Sequence, residues 1–139
     1  MKANELMIGD WVTFKDAVED NYILPVKIVG IGYQYEGGED ECLVQIGSSE
    51  SCDIIDIDDE IVGIPLTAEI LEKNGFIGIM GGNGIEYTSE EFKLRVIYRI
   101  NNEGWTIYAN HFGFDKKDLY VHKLQHALRL CGIEKEITI

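Results

Sequence analysis

The chain is poor in cysteine. Its three, Cys42, Cys52 and Cys131, are odd in number and widely spaced. None forms a C-x-x-C pair, so neither a disulfide framework nor a thiolate zinc site is indicated, and reduced thiols are expected. Long apolar runs are also missing. Stretches such as "IVGIGY" (28–33) fall far short of the roughly 20 residues that cross a bilayer. The opening "MKANELMIGD" lacks a basic cluster followed by an apolar stretch, so no signal peptide is read and a cytoplasmic protein is expected. No internal repeat or low-complexity linker interrupts the 139 residues, a length that suits one domain or two small subdomains.

Positive charge is what the first half lacks. Residues 1–66 hold three lysines against fifteen acids, giving −12, while residues 67–139 hold nine Lys/Arg against ten acids, giving −1. Together these make the net charge of −13. Such asymmetry favours a basic partner for the acidic half, or serves solubility. At 45% hydrophobic residues the chain can still bury a core without covalent staples.

What is present reads as strands first. "DWVTFK" (10–15) alternates after a Gly9-Asp10 turn, and "YILPVKIVGIGYQY" (22–35) is a β-branched run broken by Pro25, Gly30 and Gly32. Those glycines suit a bend or bulge. "ECLVQIG" and "DIIDI" follow as short strands, and "YEGGEDE" (35–41) reads as a loop. Short, closely spaced strands with glycine bends predict a small SH3-like β-barrel over 1–66.

Over 67–139 the pattern predicts an α+β unit built as helix, β-meander and helix. Thr67 caps a first helix, with Leu66 stapled onto Leu71, and Asn74-Gly75 ends it. "FIGIM" and "IEYTS" form a hairpin turning at Asn83-Gly84, and "FKLRVIYRI" pairs with "WTIYAN" in a second. "HFGFDKKD" (111–118) reads as a turn into the last helix, and "IEKEITI" (133–139) as a final strand.

Candidate sites are sparse. "VHKLQHALRL" (121–130) places His122 and His126 four apart. At 100° per residue, Val121, Leu124, Ala127, Leu128 and Cys131 form the core stripe, while His122, His126 and Arg129 face the opposite side. Two ligands do not make a zinc site, and Lys123 stands where a metalloprotease needs glutamate. The expected role is a solvated or interfacial face; an anion held by His122, His126 and Arg129 is the alternative.

"DIIDIDDEI" (53–61) fails the calcium-loop pattern and reads as a charged edge strand, with Asp56, Asp58 and Asp59 as an acidic partner surface. "GIMGGNG" (78–84) fits neither phosphate-loop pattern. Lys93, Arg95 and Arg99 share a strand face, and the partner strand adds Thr106, Tyr108 and Asn110. Such a basic row with an aromatic can bind single-stranded nucleic acid, though the net charge works against it. No nucleophile with a base partner is readable.

The blocks "MKANELMIGDWV", "IPLTAEILEKNGF" and "YVHKLQHALRLCGIEKEI", about a third of the chain, resemble a family of small proteins of Bacteroides-type bacteria found among prophage and mobile-element genes. The resemblance implies a cytoplasmic bacterial or phage setting. It brings no activity, cofactor or catalytic residue. The function expected is therefore a non-enzymatic protein-binding or assembly module, possible self-association included. The alternatives are an acidic DNA mimic and a weak single-stranded nucleic-acid binder through Lys93, Arg95 and Arg99. No cofactor, metal or membrane partner is expected.

Overall fold

The computed structural model of the chain describes residues 1, 3–32, 41–46, 52–109, 112–116 and 119–139. The chain divides into two compact units, Met1–Ile64 and Pro65–Ile139. Among the described residues, no helix is long and apolar enough to cross a membrane.

In the first unit, Gly9 takes a left-handed φ of 88° and the Asp10 carboxylate accepts the Met7 N–H at 2.8 Å, closing the turn that launches β1 (Trp11–Phe14). Thr13 is buried although polar. Its hydroxyl accepts the Leu24 N–H at 3.1 Å, which satisfies it inside. A helical segment absent from the sequence reading, α1 (Lys15–Glu19), follows directly. Then come β2 (Val26–Gly32), β3 (Glu41–Ile46), β4 (Cys52–Asp56), α2 (Ile57–Glu60) and β5 (Ile61–Gly63). The β2–β3 register shifts between Ile28 and Gly30, where glycine lets the strand bend.

The SH3-like barrel expected for this unit is not there. The strands form one antiparallel sheet in the order β4-β3-β2-β1-β5, and its two ends do not pair with each other. Closure needs tilted end strands joined by hydrogen bonds, but β5 is only three residues long and Cys52, Asp53 and Ile54 of β4 are exposed. The fold is α+β with open sheets. Its core in this unit is Leu6, Val12, Val26, Ile28, Cys42, Val44, Ile57 and Ile61.

The second unit opens with α3 (Ala68–Lys73). Thr67 Oγ1 accepts the Ile70 N–H at 3.3 Å, and Gly75 at φ 83° ends the helix. A five-stranded antiparallel meander follows: β6 (Ile77–Gly81), β7 (Gly84–Thr88), β8 (Leu94–Arg99), β9 (Gly104–Ala109) and β10 (Phe112–Lys116). The first turn is Gly82-Asn83, one residue earlier than the Asn-Gly pair suggested, because Gly84 pairs with Gly81 inside the ladder. A side chain at Gly84 would put its Cβ 1.9 Å from the Tyr98 carbonyl oxygen. The stretch read as a turn over 111–118 contains β10, whose ladder to β9 runs from Phe112↔Ala109 to Lys116↔Trp105.

Helix α4 (Val121–Leu130) then packs on β9. Residues 133–139 do not form the expected strand. One side chain fixes their far end: Asn74 donates from Nδ2 to the Thr138 carbonyl at 2.8 Å and accepts the Thr138 N–H at 2.9 Å, while Ile137 is buried and Lys135 pairs with Glu91. The core holds Leu71, Phe76, Tyr87, Leu94, Val96, Ile107, Leu124, Leu128 and Ile137.

Candidate functional site

Cross-strand partners share a sheet face, so the register sorts the second sheet into rows. On the face away from Leu94 and Val96, one row reads Ile77–Thr88–Arg95–Tyr108–Gly113. The next reads Ile79–Glu86–Ile97–Thr106, and the last Gly81–Gly84–Arg99–Gly104.

Arg95 and Tyr108 of the predicted basic row meet in the first of these. The Arg95 guanidinium lies 5.3 Å from the Tyr108 ring centre and 3.3 Å from Glu86 Oε1. Arg99 reaches back from the third row and donates from Nη2 to the Tyr108 hydroxyl at 3.2 Å. Those two side chains bridge the middle row, which accounts for Thr106 being buried on an otherwise outward face. Lys93 stands apart, exposed and just ahead of β8, and Asn110 lies outside the described residues. The row is thus an internally satisfied cluster: Glu86 offsets Arg95, and the Tyr108 ring already carries a cation. Gly113 packs beside it, and a Cβ there would stand 3.0 Å from the Tyr108 ring, close enough that the ring would have to shift.

The glycine row leaves a hollow. Gly81, Gly84 and Gly104 give it no side chain but Arg99, so an open cavity of about 540 Å³ forms there. It is lined by Gly81, Asn83, Gly84, Glu86, Ile97, Arg99 and Asn101, beside the hairpin tip.

The cavity adjoins β6, which the sequence marks as an arm of the first hairpin but not as a site. β6 ends the sheet, and all five of its residues are exposed. Ile77, Ile79 and Met80 show 61%, 60% and 69% of their surface. Most sheet edges are guarded by charge, proline or a bulge, and "IGIMG" has no charge or proline, nor does its register with β7 shift. The available signal was negative: residues 74–85 contain no ionisable side chain in a chain that is 27% charged.

Of the remaining predicted residues, His122 and His126 come together, but not on an outer face. His122 was expected outside but is 1% exposed. Its ring stacks on Tyr120 at 5.8 Å and 9°, and His126 meets it edge-on at 5.8 Å. Gln125 is buried as well, so α4 is covered over more of its circumference than its apolar stripe. His126 is half-buried, Arg129 is exposed, and His111 lies outside the described residues. Among the described residues no group of three His, Cys, Asp or Glu is placed to hold a metal ion.

In the acidic segment, Asp56 ends β4, whereas Asp58 and Asp59 fall in α2 rather than on a strand face. Aspartate is a poor strand former, and one helical turn buries Ile57 and Ile61 together. The side chains of Asp58 and Asp59 lie outside the described residues, as does the loop 33–40. Cys42 is buried, and burial first, then the negative charges of Asp56 and Glu60, push its thiol up from 9.0 to about 11. That is the opposite of an activated nucleophile.

No protein family, curated protein sequence or solved structure matches the chain.

Proposed function

We propose that the protein is a non-enzymatic binding module that takes up an extended strand of a protein partner along the open edge of β6. The observation that carries this is the edge itself: five exposed residues, three of them large and apolar, with nothing to repel an incoming strand. Strand addition draws affinity from main-chain hydrogen bonds and specificity from side-chain pockets beside the edge. The cavity at Gly81, Ile97 and Arg99 supplies such a pocket. Contiguous exposed apolar surface marks interaction sites, and Ile77 and Ile79 lie side by side on one face of this strand. The setting proposed is cytoplasmic, in bacteria or their mobile elements. Nucleic acid is a poorer fit than protein, because Arg95 is offset by Glu86 and the Tyr108 ring is engaged.

The test is a photo-crosslinking residue placed at position 79, compared with one at Glu69, an exposed position on α3 of the same unit. Both are expressed in cells that carry the gene naturally. A discrete protein adduct from position 79, absent from position 69, is the expected result. No adduct from position 79, or the same adducts from both, would remove β6 as the binding edge.

A further inference from the structure

We infer that the strand taken up by β6 is the β6 of a second copy of this chain, paired antiparallel about a two-fold axis at Ile79. This rests on β6 being the binding edge and names its occupant. Main-chain geometry supports it first. Gly81 and Gly84 close a two-residue hairpin turn, and such a closing pair exchanges its hydrogen bonds within the hairpin. By alternation Ile77, Ile79 and Gly81 direct their N–H and C=O groups at β7, leaving those of Gly78 and Met80 to face the open edge. An axis at Ile79 sets Gly78 of each copy opposite Met80 of the other, so the outward groups meet as hydrogen-bonded pairs.

Side-chain fit selects the same register. With the axis at Ile79, Ile77 faces Gly81, Met80 faces Gly78, and only Ile79 faces its own kind. Moving the axis one residue either way shortens the overlap within β6 from five residues to three, and sets Ile77 against Ile79 or Met80 against Met80. In the favoured register the partner copy's Ile77 arrives beside Gly81, at the rim of the cavity. Knob and hole therefore lie on one strand, as a two-fold interface requires.

Charge opposes a second copy over most of the molecule and permits it at this strand. Each chain carries −13, so most of its surface repels a copy of itself, yet residues 74–85 bring no ionisable side chain to the contact. The contact is small. Two five-residue strands bury less than the roughly 1,200–2,000 Å² of a standard stable interface, so association is weak and develops at high concentration.

Disulfide trapping tests the register. Cys52 and Cys131 are replaced by serine; Cys42 stays, being buried and poorly ionised. Facing residues of a non-hydrogen-bonded pair stand about 4.5 Å apart at Cα, within disulfide reach. Under mild oxidation Ile79→Cys should link to itself about tenfold faster than Ile77→Cys does alone. A mixture of Ile77→Cys and Gly81→Cys should link as fast as Ile79→Cys. Equal self-linking of Ile77→Cys and Ile79→Cys overturns the inference, as does wild-type protein that remains monomeric at every attainable concentration. If position 79 nonetheless crosslinks a different protein in cells, the edge stands as the binding surface and only the second copy is lost.

Discussion

Gly82 and Gly84 flank Asn83 and differ sharply in what they tolerate. A Cβ on Gly84 would strike the Tyr98 carbonyl oxygen at 1.9 Å, an atom fixed in the ladder, whereas one on Gly82 meets nothing within 4 Å. Gly82 also lies outside the left-handed region. Gly84→Ala is therefore expected to destabilise by about 1–3 kcal/mol or more, and Gly82→Ala to stay within about 0.5 kcal/mol. Urea midpoints of the two variants check this, and equal losses would mean that the hairpin is drawn in the wrong register. Cys42 gives a second prediction at the same scale. Its thiol is raised to about 11, so at pH 8 iodoacetamide should modify exposed Cys52 first and Cys42 last. Because the folded state favours the neutral thiol, its contribution to stability is intact below pH 9.0 and is lost as pH rises through about 11. Alkylation of Cys42 at the rate of Cys52 would contradict this.

Individual elements differ in how far the sequence exposes them. Helix α3 is legible because its ends are local: Thr67 caps it, Gly75 ends it, and no distant residue is needed. β10 is not, since "HFGFDKKD" has the composition of a turn and becomes a strand through its ladder to β9. The alternation in 133–139 misleads in the other direction. Those residues are tied down by Asn74, 64 positions away from Thr138, instead of by a neighbouring strand. For α4 the helical phase correctly picks out Val121, Leu124 and Leu128 as buried. Phase cannot say how wide the buried arc is, and there His122 was misplaced. Leu128→Ala is expected to cost about 2–5 kcal/mol through the cavity it leaves, while half-buried His126→Ala costs about 0.5 kcal/mol or less. His122→Ala should fall between them, since it empties a buried site stacked on Tyr120. Denaturant unfolding of the three variants ranks them, and a negligible loss for His122→Ala would put that side chain back outside. β6 is legible as an arm of the first hairpin, but its standing as an open edge is not. Exposure at β6 depends on its being last in the sheet order, which only the fold decides.

The whole molecule sets two forces against each other. A charge of −13 opposes association with any acidic body, a second copy included, while the uncharged run 74–85 permits it at one strand. Salt separates them. The Debye length falls from about 10 Å at 0.1 M to about 3 Å at 1 M, weakening repulsion between copies without weakening strand pairing or apolar contact. An association driven by the acidic half toward a basic surface behaves in the opposite way. Sedimentation equilibrium at low and high salt, on wild type, Ile79→Lys and the Asp56→Asn/Asp58→Asn/Asp59→Asn variant, decides between them. The prediction is self-association that strengthens with salt, persists in the triple variant and is abolished by Ile79→Lys. Self-association that weakens with salt, disappears in the triple variant and survives Ile79→Lys would contradict it, and would place the binding surface in the acidic half.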